Sequence, residues 1–399
     1  MDLQLPRGFR YAGVACGIKK RAGKRDLALI VAEQNATCAG VYTRNQVVAA
    51  PVVLCRQRTP GDSLRAVVIN SGNANACTGR RGDEDAVEMT RLVARALGRG
   101  IDPSQVLVMS TGVIGHYLPM EKIAVGIERA AHQLGDQLAD FTAAAEGILT
   151  TDKGIKIGCR TLATPGGRIT LAGMAKGAGM IGPNMATMLG CILTDARLDP
   201  DQAQRLLQAV ADVSFNCISV EGHTSTNDTL ILMASGASST SPLRGDAEYQ
   251  FVEELKELCI ELAKQIPADG EGAAHLIEVA VAGAPTDEQA REVARTVASS
   301  NLVKTAIYGN DPNWGRIVSA AGYAPVAIDP RKLTLRLNGV ELFRGGEPVP
   351  FDAAMVSQSM RENAETRVEL QVGNGPGKGW HWSSDLTVEY VRFNSEYTT

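Results

Sequence analysis

The stretch from Lys176 to Asp195, KGAGMIGPNMATMLGCILTD, constrains the fold of this chain more than any other. Gly177, Gly179 and Gly182 open backbone conformations closed to residues with a β-carbon, and Pro183 fixes its own φ, so the chain before Met185 is expected to fold tightly. The run MLGCIL after Thr187 is short, continuous and apolar, the pattern of a strand covered on both faces. A hydroxyl at the mouth of such a strand, with Lys176 upstream, makes Thr187 a candidate nucleophile. The plainer reading is that a threonine at a turn-to-strand junction hydrogen-bonds its own backbone. A nucleophile also needs a base, and none stands nearby in the sequence.

Strand-like and helix-like segments alternate through the rest of the chain. LALIVA at 27–32, AVVIN at 66–70 and QVLVMS at 105–110 read as strands. Asp83 to Leu97, Pro119 to about Leu134, and the segment near Phe141 to Leu149 read as helices. In the second half, Asp199-Pro200 starts a helix, a longer one spans about Asp246 to Ile266, and a capping-box pattern at Thr286 to Gln289 opens another. TLILMA at 229, HLIEVAV at 275, LTLRL at 333, RVELQV at 367 and DLTVEY at 385 read as strands, several with the alternation of one-sided sheets. The expectation is a mixed α/β protein with helices on the outer faces of its sheets. TGRRG at 78–82 and GNGPGKG at 373–379 read as short flexible loops.

A chain of 399 residues holds two domains or one large one and buries a substantial core. Its net charge of -4 gives no electrostatic reason to expect nucleic acid. The 8 cysteines include no CxxC pair, so neither a disulfide framework nor a zinc site is expected, and the histidines show no metal-binding spacing. No apolar run reaches the length of a membrane span, and MDLQLPRGFR has neither signal-peptide nor transit-peptide character, so a cytoplasmic protein is expected. No glycine-rich nucleotide motif stands in the right context.

The string GPNMATM, preceded by GMAKGAGMI and followed by LGCILTD, resembles the self-cleavage site of the ornithine acetyltransferase family, also called the bifunctional glutamate N-acetyltransferase family. GFRYAGVACGIK, NSGNANACTG, TSTNDT at 224–229, GNDPNWGRI at 309–317 and the closing FNSEYTT extend the resemblance over nearly the whole chain. It implies that the chain cuts itself between Ala186 and Thr187, giving an alpha chain of residues 1–186 and a beta chain of 187–399. The freed α-amine of Thr187 then supplies the missing base, since such an amine has a pKa of about 7.7 to 8.0 and is partly unprotonated near neutrality. MSTGVIG at 109–115 follows a strand and would otherwise be a plain strand exit; the resemblance assigns Thr111 and Gly112 to the oxyanion hole.

The same resemblance assigns substrate contacts to a threonine of ILTTDK, Thr150 or Thr151 with Thr151 preferred, and to Lys176, Thr187, Glu271, Asn394 and Thr399. Ordinary readings exist for each: a helix end for the threonines, a solvated charge for Lys176, a surface turn for Glu271 and a frayed tail for the last two. The implied fold is an αββα-type sandwich with mixed sheets plus a second α/β domain. The implied activity moves acetyl from N2-acetyl-L-ornithine to L-glutamate by ping-pong kinetics in arginine biosynthesis, without a resident cofactor. Acetyl-CoA as a further donor stays open. Two alpha and two beta fragments are implied to associate, with no membrane or nucleic acid partner. One stretch departs from the pattern: Cys217, Glu221 and His223 stand where Arg, Asp and Asp are expected. The alternatives are a self-cleaving aminopeptidase or amidohydrolase on the same scaffold, and an uncleaved, non-catalytic binding protein.

Overall fold

A computed structural model describes residues 3–21, 23–98, 100–164, 167–182, 188–238 and 241–396. The chain divides into two units: Met1–Gly177, Asn184–Phe215 and Thr224–Ala263 form the first, and Ala178–Pro183, Asn216–His223 and Lys264–Thr399 the second.

The first unit is built on an eight-stranded mixed sheet. In chain order its strands are β1 (Phe9–Val14), β2 (Leu27–Tyr42), β3 (Gly61–Asn73), β4 (Val106–Val113), β5 (Lys156–Thr164), β6 (Gly167–Lys176) and β7 (Leu189–Thr194). After β8 (Ile218–Ser219), which belongs to the other sheet, β9 (Thr229–Ala234) completes it. The spatial order is β4-β3-β2-β9-β7-β6-β5, with β1 paired to β2. β3–β4 and β7–β9 are parallel pairs within an otherwise antiparallel array. The predicted strand after Thr187 is β7: it is buried at every position and lies between β6 and β9, which is why it reads as unbroken apolar sequence. Helix Asp246–Ala268 lies close against β5 and β6, where a β-carbon on Gly158 or Gly173 would stand 2.9 and 2.6 Å from Leu258 and Leu262.

The second unit carries a seven-stranded mixed sheet of β8 with β10 (Leu276–Ala284), β11 (Thr334–Leu337), β12 (Val340–Arg344), β13 (Glu347–Pro348), β14 (Glu365–Gln371) and β15 (Gly377–Ser384), in the order β13-β12-β11-β14-β10-β15-β8. Its core joins the buried faces of β10, β11 and β14 to Val293, Val297, Ile307 and Ile317 from helices Asp287–Ala298, Asn301–Tyr308 and Trp314–Gly322. The alternation read in RVELQV is that one-sided burial. Two mixed sheets with helices are the fold class expected from the pattern.

Several local expectations are corrected. DLTVEY is not a strand: β15 ends at Ser384, and helix Val388–Glu396 follows. Side chains end the strand, because Asp385 accepts from the Ala274 N–H at 3.0 Å and Thr387 Oγ1 accepts from the Tyr390 N–H at 2.9 Å. Residues 377–379 of the expected loop belong to β15 itself. The segment at 79–82 is the first turn of helix Gly79–Leu97, not a loop. Asn75 donates to the Gly82 carbonyl at 2.8 Å, and a β-carbon on Gly82 would meet Thr78 Oγ1 at 2.0 Å, so glycine lets this turn close.

Candidate active site

Thr111 and Gly112 immediately precede Val113, the last residue of β4, inside the strand and not in the turn beyond it. Ser71 faces Thr111 and Gly72 faces Gly112 across the parallel β3–β4 pair, and the ladder shifts register after Gly72. Gly112 has a φ of 134°, and a β-carbon there would lie 2.2 Å from the Gly72 carbonyl carbon. Glycine is therefore required both by its own backbone and by the approach of β3. Gly112→Ala is expected to destabilise the protein by at least about 1–3 kcal/mol and to depress turnover with it. Urea unfolding and turnover of the purified variant check this; an unchanged midpoint would count against the strained geometry.

Lys176, the last residue of β6, is not a solvated loop charge. It is only 2% exposed, and its Nζ donates to Thr111 Oγ1 at 3.3 Å, Thr111 being 1% exposed. That bond uses a lone pair of the hydroxyl and leaves its proton to donate elsewhere.

The charge that permits a buried ammonium here is Asp152, which the sequence reading did not single out. Its side chain is fully buried and accepts from Lys156 Nζ at 2.7 Å, from the Gly177 N–H at 2.7 Å and from the Thr150 N–H at 3.0 Å. Burial opposes its ionisation, but the ammonium groups of Lys176 and Lys156 outweigh that and hold the carboxyl well below the usual range. Thr150 also turns its hydroxyl toward Asp152, at 3.5 Å, whereas Thr151 is half-buried beside it. Thr150 thus belongs to the support of Asp152.

In the second unit Glu271 and Asn394 meet: Asn394 Nδ2 donates to Glu271 Oε2 at 3.2 Å, and the Glu271 N–H donates to the Ala178 carbonyl at 2.8 Å. Gly179 makes room, since a β-carbon there would stand 2.4 Å from the Glu271 carboxyl. Glu221, one of the departures from the expected pattern, has both carboxyl oxygens buried and without hydrogen-bond partners among the described residues. Burial, reinforced by Glu271, pushes it up to about 7. Lys304 is likewise buried, pushed down to about 8, and donates to the Val220 carbonyl. Cys217 is buried and His223 exposed.

The structure thus brings Thr111, Lys176 and Thr150 around one buried ion cluster, with Thr151 next to Asp152 in the chain, and joins Glu271 to Asn394 by an exposed hydrogen bond in the second unit. Ala186, Thr187 and Thr399 lie outside the described residues. A cavity of about 570 Å³ on the second sheet contains none of these residues, and its arginines are already paired: Arg336 and Arg344 with Glu341, Arg367 with Glu369. Among the described residues no acid, histidine or cysteine cluster is arranged to hold a metal ion, and no helix is long and apolar enough to cross a membrane.

These features define a two-unit α/β protein with a threonine–lysine–carboxylate centre buried at the end of a parallel strand pair. The ArgJ family matches residues 10–399, and the chain belongs to that family. It is 52% identical over 402 residues to the arginine biosynthesis bifunctional protein ArgJ of Rhodopirellula baltica, covering 99% of this chain and 96% of the relative. The protein of the same name from Bacillus licheniformis is 46% identical over 397 residues, covering 99% and 96%. Among solved structures, the arginine biosynthesis bifunctional protein of Bacillus halodurans is similar with a TM-score of 0.50 and 38% identity, covering 51% of this chain and 96% of that one.

Proposed function

We propose that this chain transfers an acetyl group from N2-acetyl-L-ornithine to L-glutamate through an ester on Thr187, after cutting itself between Ala186 and Thr187. As a member of the ArgJ family, whose curated relatives are named arginine biosynthesis bifunctional proteins, it is a bifunctional enzyme of arginine biosynthesis with ornithine acetyltransferase activity. The observation that carries the finer reading is the Lys176–Thr111 hydrogen bond. It leaves the Thr111 hydroxyl proton free to donate, beside a glycine that is exposed and forced by geometry.

In the first half-reaction the Thr187 hydroxyl attacks the acetyl carbonyl and its own α-amine takes the proton. The Thr111 hydroxyl and the Gly112 N–H hold the oxyanion, and the C–N bond then breaks as ornithine takes a proton and leaves. In the second, the amine of glutamate attacks the ester and the threonine oxygen regains its proton. Losing one oxyanion donor typically costs about 2.7–4 kcal/mol in the transition state. Glu271, steadied by Asn394, is suited to a cationic amine, and Thr151 and Thr399 contribute hydrogen bonds to the substrate. Lys176 acts chiefly through Thr111.

The division into residues 1–186 and 187–399 draws support from the crystallised relative, which matches 51% of this chain yet is itself 96% covered, as expected of a polypeptide divided near its middle. The proposal extends to two copies of each fragment acting together in the cytoplasm, and to acetyl-CoA as a second donor loading the same threonine. No resident cofactor takes part.

Initial rates at several fixed glutamate concentrations should give parallel double-reciprocal lines against acetylornithine. Intersecting lines would rule out the ester, and acetate release independent of glutamate would favour a hydrolase.

A further inference from the structure

The run TSTNDT at 224–229 has no role in the chemistry above, yet two of its neighbouring side chains reach buried backbone in the first unit. Asn227, 4% exposed, donates through Nδ2 to the Ser110 carbonyl at 2.9 Å and to the Ala74 carbonyl at 2.6 Å. Its Oδ1 is engaged by the Thr226 hydroxyl, which orients the amide. The Ser110 carbonyl belongs to the same planar peptide as the Thr111 N–H, so Asn227 sets the plane of the peptide that enters the Thr111–Gly112 pair.

Asp228 does the matching thing at the start of β7. It is 0% exposed, and its Oδ1 accepts from the Met188 N–H at 3.1 Å. The Met188 carbonyl accepts from the Thr229 N–H at 3.2 Å, so Met188 is held at both ends by consecutive residues of one strand entry. Met188 is the residue that follows the proposed nucleophile in the chain.

A buried carboxyl group is a costly way to fix a strand entry. The second oxygen of Asp228 is buried without a hydrogen-bond partner among the described residues, and burial drives the group well above the usual carboxylate range. The Thr43 hydroxyl and the Ser225 N–H also act on this carboxyl, so Asp228 ties its own segment to the Met188 N–H.

We infer that Asn227 and Asp228 are positioning residues for acetyl transfer: side by side on one rigid segment, they register the peptide entering the oxyanion donors against the peptide leaving the nucleophile. This rests on the function proposed above. Neither residue touches substrate in this scheme; each acts through the backbone of a residue that does. A displacement of about 1 Å between nucleophile and oxyanion donors is enough to cost about 100-fold in rate.

The test measures kcat and KM per correctly cut polypeptide, the cut fraction being read from intact mass. Asp228→Ala is expected to lower kcat about 100-fold with KM changed less than about twofold, because transition-state geometry is lost while ground-state binding is kept. Asp228→Asn, whose Oδ1 still accepts the Met188 N–H, is expected to stay within about tenfold of wild type. A folded Asp228→Ala protein with wild-type kcat overturns the inference, and so does an asparagine variant as impaired as the alanine one, which would show a titrating carboxyl at work. If Asp228→Ala does not accumulate folded, Asn227→Asp is read instead: it keeps the shape but replaces the donor to Ser110 with an acceptor, and wild-type kcat there has the same force. Wild-type protein in the same assay separates the two levels. Absence of acetyl transfer by wild type sinks the proposed function, whereas normal wild-type transfer with indifferent variants sinks only the positioning role.

Discussion

Replacing Thr187 with alanine is expected to leave the protein as a single polypeptide of 42.3 kDa and to reduce acetyl transfer by about 10⁴-fold or more. In the proposed mechanism one substitution removes the group that attacks the Ala186 carbonyl, the group that carries the acetyl ester and, because no cut occurs, the amine that would take the proton. Groups that act as a unit do not lose activity piecemeal, so Thr187→Ser should be far milder, retaining a hydroxyl and, once cut, an amine. The same mechanism predicts the pH dependence of the wild-type enzyme. The amine must be unprotonated to act, so kcat/KM should rise through about pH 7 to 8 as it loses its proton. Denaturing mass measurement of both proteins is decisive: an alanine variant still cut after Ala186, or a wild-type chain found whole, refutes the mechanism.

The second large effect is expected at Asp152. Asp152→Ala removes the carboxylate that pairs with Lys156 and attracts Lys176 and so takes one counter-charge from two buried ammonium groups, a loss of about 3–5 kcal/mol. Set against typical stabilities of about 5–15 kcal/mol, that brings the first unit close to unfolding at ambient temperature. The sign of the pH dependence follows from a folded-state pKa held below its ordinary value of about 3.9. The stabilisation is fully present above that ordinary value and is lost as pH falls below it toward the folded one. The gap between wild type and Asp152→Ala should therefore be constant from about pH 7 to pH 5 and narrow only below about pH 4. Urea midpoints across this range test it; equal midpoints at pH 7 would mean that the lysines are satisfied without Asp152. Because Lys176 also holds Thr111, the surviving folded fraction should turn over more slowly than wild type.

Much of the fold was legible because it is written in local patterns. β7 shows as an unbroken apolar run since neighbouring strands and both faces cover it, and β14 shows as alternation since one face is open. Reading failed where a side chain competes with the ladder for backbone groups. DLTVEY alternates like a strand, but Asp385 and Thr387 hydrogen-bond nearby N–H groups and start a helix. The glycines of TGRRG suggested a loop, yet Gly82 is there to let a helix turn close on Asn75 and Thr78.

The candidate site divides along the same line. Thr111, Gly112, Lys176, Glu271 and Asn394 were reached through motifs, each with a bland alternative that its own neighbours in sequence could not dismiss. By itself the sequence determined most strands and helices and the family, which depend on residues close together along the chain. Only the tertiary structure decided that Lys176 is a buried donor to Thr111, that Asp152 is its counter-charge, and that Asn227 and Asp228 grip backbone. The physical reason is that the charge state and hydrogen-bonding role of a polar side chain depend on how much water surrounds it and which partners lie within about 3 Å. In this chain those partners come from strands far apart in sequence, and only the folded sheet brings them together.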